Sequence, residues 1–196
     1  MKVLVYGHSY VRDLHQLCDW RQALSYRGQQ IRADFAFRYF PGKDYEFLLN
    51  QPQEFEIVKS VNPDYLVIVL GGNSVVNNKT NGDVKALMLQ FYQKLNTALP
   101  QTIKLAVQIE PRYYAANNTL QAPMAEEFNK RRQILNNYMN KQLKKKGLIN
   151  HVVILGSAGN LTADSYRDGV HLTAEALQEY QAAILRSLSY AMEKAE

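Results

Sequence analysis

A serine, a histidine and an aspartate stand where they could work as a nucleophile, its base and the acid that orients the base. Ser9 lies just past the short apolar run Val3-Leu4-Val5-Tyr6, inside Gly7-His8-Ser9-Tyr10-Val11-Arg12. A strand that ends in a small-residue turn and passes into a helix lifts one hydroxyl to the rim of a sheet, beside the helix's unsatisfied N–H groups. His171 can take the hydroxyl proton, and Asp168, three residues earlier, can turn back to the imidazole and hold its tautomer. Acyl transfer also needs donors for the oxyanion. The candidates are the backbone N–H groups of Ser9 and Gly42 and the side-chain amide of Asn73. Glycine lets the backbone approach a ligand, and asparagine donates without a charge. Each residue alone has a bland reading: Ser9 as a helix N-cap, Asn73 as an Asx turn, Asp168 and His171 as a helix-entry loop.

The elements that must position these residues alternate along the chain. Apolar runs of strand length fall at 3–6, 31–40, 65–70, 103–109 and 152–155. In the second, Ile31, Ala33, Phe35, Phe37 and Tyr39 share one side; the third is continuously apolar, as in a strand covered on both faces. Helical patterns lie between: 11–26 with Val11, Leu14, Cys18 and Leu17 inward, 44–61 broken at Pro52, 84–99 with Leu87, Phe91 and Leu95, and 123–146 with Phe128, Ile134 or Leu135, Tyr138 and Leu143. The last helix opens on Thr173 as N-cap, with Leu177, Tyr180, Ile184 and Leu188 as its stripe. This order predicts a parallel sheet with helices on both faces, in one domain over residues 1–196. Ligands of such sheets bind beyond the carboxyl ends of the strands. There the chain places Gly7-His8-Ser9, Pro41-Gly42, Gly71-Gly72-Asn73-Ser74, Glu110-Pro111-Arg112-Tyr113, Gly156-Ser157-Ala158-Gly159 and Asp168-Gly169-Val170-His171.

Composition narrows the classes. A chain of 196 residues, 46% hydrophobic and 21% charged, suits a globular core, and no apolar run is long enough to span a bilayer. Without a signal-peptide pattern at the N-terminus the expected location is intracellular, in the cytoplasm, unless the chain is an excised domain. The sequons at Asn78, Asn117 and Asn160 then read as chance. Cys18 is the only cysteine, which excludes an intramolecular disulfide, and four scattered histidines give no ligand-spaced metal cluster. The net charge of +5 is a mild basic bias, and Lys141, Lys144, Lys145 and Lys146 suit the negative end of a helix dipole.

Gly-x-Ser after the first strand, glycine after the second, Gly-x-Asn after the third and Asp-x-x-His before the last helix resemble the four blocks of the SGNH (GDSL-type) hydrolase superfamily. The resemblance runs from Gly7 to His171. It implies an α/β/α sandwich with a five-stranded parallel sheet (flavodoxin-like), Ser9 as nucleophile, His171 as base, Asp168 as its acid, and Ser9, Gly42 and Asn73 as oxyanion hole. It implies neither a metal nor an organic cofactor. A narrower likeness, to the esterase domains of first-open-reading-frame proteins of LINE-type retrotransposons, rests on Gly7-His8-Ser9-Tyr10-Val11-Arg12 with Gly71-Gly72-Asn73 and Pro111-Arg112. His8 departs from the superfamily's usual aspartate, and Ser74 from the aspartate that often follows its asparagine. An imidazole at position 8, titrating near neutral pH, could alter the field at Ser9.

Other residues stay open. Arg112 either binds an anionic group in the pocket or pairs with Glu110 or Asp168. Tyr10, Tyr39, Tyr45, Tyr113 and Tyr114 either border a substrate, Tyr10 and Tyr113 foremost, or belong to the core. His15 and His151 read as structural or solvated. Two functions fit. One is a serine esterase on short-chain, chiefly acetyl, esters of a small alcohol or lipid, with residues 72–82 and 113–123 setting specificity. The other is a weakly active or inactive module that binds RNA or an anionic membrane through its basic surface or flanking regions. Oligomeric state is not written in the sequence.

Overall fold

The computed structural model describes residues 1–21, 24–26, 29–78, 80–113, 122–155 and 161–195. Asn117, Asn160, Tyr114 and the run 156–159 lie outside them. Five strands form the main sheet: β1 (Lys2–Gly7), β4 (Asp34–Tyr39), β5 (Tyr65–Val69), β6 (Ile103–Val107) and β7 (His151–Val153), in the order β4-β1-β5-β6-β7 and all parallel. This is the doubly wound order whose switch point lies between the first strand and its two neighbours.

Alternation along β1 explains the layers. Val3 and Val5 point into one buried cluster, with Val11 and Leu14 of α1 (Ser9–Leu17) and Leu177, Tyr180, Ile184 and Leu188 of α7 (Ala174–Lys194). Leu4 and Tyr6 point into the other, with Leu48 of α2 (Tyr45–Leu49), Phe55 of α3 (Pro52–Val61), Met88 and Phe91 of α5 (Asn81–Ala98) and Leu135 of α6 (Ala122–Tyr138). Both faces are covered, so β5 is buried along its length. Pro52 begins α3 at its first position, where its missing N–H is not needed, and so divides the 44–61 pattern as expected. Thr173 caps α7 by accepting from Ala176 N–H.

Several local expectations are corrected or sharpened. The first helix stops at Leu17. The N–H of Cys18 and the indole N–H of Trp20 both donate to the Leu14 carbonyl, and the chain turns away. Leu17 is exposed rather than inward. Beyond it β2 (Leu24–Tyr26) pairs antiparallel with β3 (Gln29–Ile31), so the 31–40 run is two strands in two sheets. Ile31, Ala33, Phe35, Phe37 and Tyr39 nonetheless pack against the same cluster. Residues Gly72–Asn77, part of the 72–82 stretch expected to set specificity, form a short helix α4. In the long helix it is Leu135 that is buried while Ile134 is exposed, and Met139–Leu143 continues it with wider π-type turns.

Candidate active site

The C-terminal end of β1 brings Ser9 to the rim. Gly7 is required there because a Cβ would lie 2.0 Å from the Val69 carbonyl oxygen of β5. His8 then caps α1: its Nδ1 accepts the Tyr10 N–H at 3.4 Å, and its own N–H donates to Val69 O. The cap is therefore His8, and Ser9 is the first helical residue. Its hydroxyl and its N–H make no hydrogen bond among the described residues. Capping by Nδ1 needs an unprotonated imidazole. Burial, with Arg112 and His171 nearby, pushes the His8 pKa down to about 3. The expectation that His8 titrates near neutral pH is thus corrected, because a desolvated ring beside the Arg112 guanidinium does not take a proton there.

The candidate base, His171, arrives on the loop before α7. His171 Nδ1 and Asp168 Oδ2 lie 2.7 Å apart, while the N–H groups of His171 and Val170 donate to Asp168 Oδ1 at 2.6 and 2.9 Å. Burial works against the carboxylate, but these bonds outweigh it and hold Asp168 below the ordinary range. With Nδ1–H directed at the carboxylate, Nε2 is left to receive a proton. Several contacts seat the loop. The Tyr10 hydroxyl donates to Val170 O, the Tyr113 N–H donates to Gly169 O, and Tyr166 bridges to Leu172. Asp13 of α1, buried, binds both Arg12 and Arg167.

Gly42 follows β4 with φ of +73°, a left-handed turn that favours glycine, and its N–H has no acceptor among the described residues. Asn73, in the first turn of α4, donates from Nδ2 to Lys43 O at 2.9 Å and accepts from Arg112 Nη2 at 3.2 Å. The second contact fixes which end of the amide is oxygen, so Nδ2 faces the turn that carries Gly42. Ser74, fully buried, accepts the Tyr45 N–H at 3.1 Å and so supports the start of α2.

Ser9, Gly42, Asn73, Glu110, Arg112 and His171 line one cavity of about 370 Å³. Tyr10 also lines it, with its hydroxyl committed to the loop. Tyr113 does not. Its hydroxyl donates to Leu161 O at 2.6 Å and its ring packs on Tyr166, which places it in a neighbouring cavity with Arg132. Arg112 pairs with neither Glu110 nor Asp168. Its guanidinium sits 4.6 Å over the Phe128 ring, and burial pulls its pKa down. The residues missed by sequence reasoning are Asp13, Phe128 and the role of Glu110, a buried carboxyl that accepts from the Tyr180 hydroxyl. Desolvation raises Glu110 to about 7, against the pull of that hydrogen bond and of Arg112 and Arg132. His15 stacks on Phe37 and His151 meets Tyr190 edge-on, away from the cavity. Among the described residues no group of three His, Cys, Asp or Glu could hold a metal, and no helix is long and apolar enough to cross a membrane.

A five-stranded parallel α/β fold with an Asp–His pair and a serine at one cavity is the architecture of a hydrolase of the α/β/α sandwich class. Residues 12–184 match the GDSL-like lipase/acylhydrolase family, and the chain belongs to that family. No curated protein matches. Among solved structures, the chain is similar in fold to a GDSL-like lipase from Bacteroides thetaiotaomicron (18% identity, TM-score 0.63, covering 100% of this chain and 89% of that one). It is likewise similar to TesA (14%, 0.64, covering 97% and 99%) and to Est24, a carbohydrate acetylesterase from Sinorhizobium meliloti (15%, 0.62, covering 96% and 98%).

Proposed function

We propose that this chain is a serine esterase acting on short acyl, chiefly acetyl, esters. The observation that carries the reading is the uncapped Ser9 on the same cavity as the Asp168-oriented imidazole of His171. Ser9 Oγ attacks the ester carbonyl carbon as His171 Nε2 takes the hydroxyl proton. The charge that develops on the carbonyl oxygen is met by the N–H groups of Ser9 and Gly42 and by Asn73 Nδ2. Collapse of the tetrahedral species breaks the bond to the alcohol, and His171 returns its proton to the leaving oxygen. Water, deprotonated by His171, then attacks the acyl-serine, and Ser9 recovers its proton as the acid departs. Acetyl is favoured because the space beside Ser9 is modest and shared with Arg112 and Glu110. Est24, which has a similar fold, is a carbohydrate acetylesterase, and that agrees with the choice.

The narrower assignment, to a retrotransposon protein with RNA or membrane partners, rests on the sequence run Gly7 to Arg12 with Gly71-Gly72-Asn73 and Pro111-Arg112. The deciding experiment compares wild type with Ser9→Ala on 4-nitrophenyl acetate, together with labelling by a fluorophosphonate. Turnover and labelling should both vanish in the variant. Turnover that survives at the wild-type rate removes the assignment.

A further inference from the structure

Arg112 is a cation on the cavity that makes no ion pair among the described residues, although the charges of Glu110 and Asp168 act on it. Its guanidinium is largely buried; Nη2 donates to the neutral Asn73 Oδ1, and its face rests on Phe128. The other guanidinium N–H groups have no acceptor among the described residues. The segments 114–121 and 156–160 contain no Asp or Glu. Asp168 is engaged with His171, and Glu110 accepts from Tyr180. The same imbalance recurs at Arg12, which lines the cavity too. Arg12 and Arg167 share the single carboxylate of Asp13, which leaves one positive charge in excess.

Resting on the esterase reading above, we propose that the substrate is an ester bearing an anionic group, a carboxylate or phosphate, which Arg112 binds inside the Ser9 cavity with Arg12 supporting it. The chemistry follows from geometry. A buried guanidinium offers several N–H donors in one plane and suits a planar or tetrahedral oxyanion better than a neutral hydroxyl. Ring and amide leave part of that fork open to the cavity, and desolvation strengthens whatever fills it. Glu110 does not compete below neutral pH, because burial raises its pKa to about 7 and keeps it protonated. The anion could sit on the acyl group or on the alcohol, since Arg112 lies beside Asn73 at the oxyanion hole.

The test is run at pH 6 with two matched pairs. 3-Acetoxybenzoate against 3-acetoxybenzamide places the charge on the alcohol. Mono-4-nitrophenyl succinate against 4-nitrophenyl butyrate places it on the acyl group. One pair should show kcat/KM higher for the anion by roughly tenfold or more, as a charge-assisted hydrogen bond provides, and that pair locates the anion. In Arg112→Gln the ratio should fall to about one while Arg112→Lys keeps part of it, whatever happens to the rate on neutral esters. Ratios at or below one for both pairs in the wild type overturn the proposal, as does a preference that survives in Arg112→Gln. Ser9-dependent turnover without preference defeats this inference and leaves the esterase reading intact. If no ester is turned over, calorimetry on Ser9→Ala decides. In one of the two pairs the anionic ester should bind at least about tenfold more tightly than its neutral partner, and the difference should vanish in Ser9→Ala/Arg112→Gln; equal or absent binding in both pairs overturns the proposal.

Discussion

Replacing Glu110 with glutamine should change how stability depends on pH. The carboxyl is buried at the cavity floor, where loss of water raises its pKa from 4.5 to about 7. A group whose folded pKa lies above its unfolded value keeps its proton longer in the folded state. Between pH 4.5 and 7 the folded protein therefore binds more protons than the unfolded chain, and stability falls as pH rises through that window. A displacement of this size corresponds to about 3 kcal/mol lost by pH 8. His8 runs the other way. Its folded pKa of about 3 lies below the ordinary 6.5, so its contribution is complete above 6.5 and is lost as pH falls toward 3. The two slopes oppose each other between 4.5 and 6.5, and the wild-type profile alone conceals both.

The difference between Glu110→Gln and wild type isolates the carboxyl. Glutamine keeps an oxygen for the Tyr180 hydroxyl, and any fixed cost of its amide, about 1–3 kcal/mol if unpaired, is the same at every pH. Urea unfolding at pH 5, 6, 7 and 8 should show the gap moving in the variant's favour by about 3 kcal/mol from pH 5 to pH 8. Thermal melts should show the same trend, by roughly 6–12 °C for a chain of this size. A gap that stays constant from pH 5 to 8 would refute the reasoning, because Glu110 would then titrate alike in the folded and unfolded chain.

Two further changes probe the site. His8→Asn keeps an N-cap acceptor but removes the imidazole. It should flatten the loss of stability below pH 6.5, worth about 5 kcal/mol by pH 3, as read from acid unfolding curves. Asn73→Ala removes one proposed oxyanion donor, and kcat on 4-nitrophenyl acetate should fall by about 10²–10³ with a smaller change in KM.

The strands and their polar ends were legible because apolar runs of fixed length carry their own period and the residues after them are glycine, proline or asparagine. Ser9, Gly42, Asn73 and His171 could be placed at one edge by that rule alone. The hairpin β2–β3 could not, since Leu24 and Tyr26 continue a helical spacing from Leu14; the turn is made by Trp20 and Cys18 sharing the Leu14 carbonyl, a tertiary choice. Helix α4 was hidden because Gly72, Asn73 and Ser74 are weak helix formers held by surroundings such as Tyr45, whose N–H donates to Ser74. Glu110 gave no signal either. An acid between a strand and Pro111 looks like a loop residue until Tyr180, seventy positions later, covers it.

Asp13 explains how the proposed base, on a loop, can serve the proposed nucleophile, on a helix. Asp168 and His171 are separated from Ser9 by most of the chain, and a loop by itself does not hold a side chain to the tolerance that proton transfer needs. Residues four apart lie on one face of a helix, so Ser9 and Asp13 share a side of α1. Asp13 grips Arg167, one residue before Asp168, while Tyr10, next to Ser9, holds Val170, one residue before His171. Each end of the Asp168–His171 turn is thus tied to the helix that carries the nucleophile. The position of the imidazole relative to the Ser9 hydroxyl is thereby set through α1 rather than across the sheet.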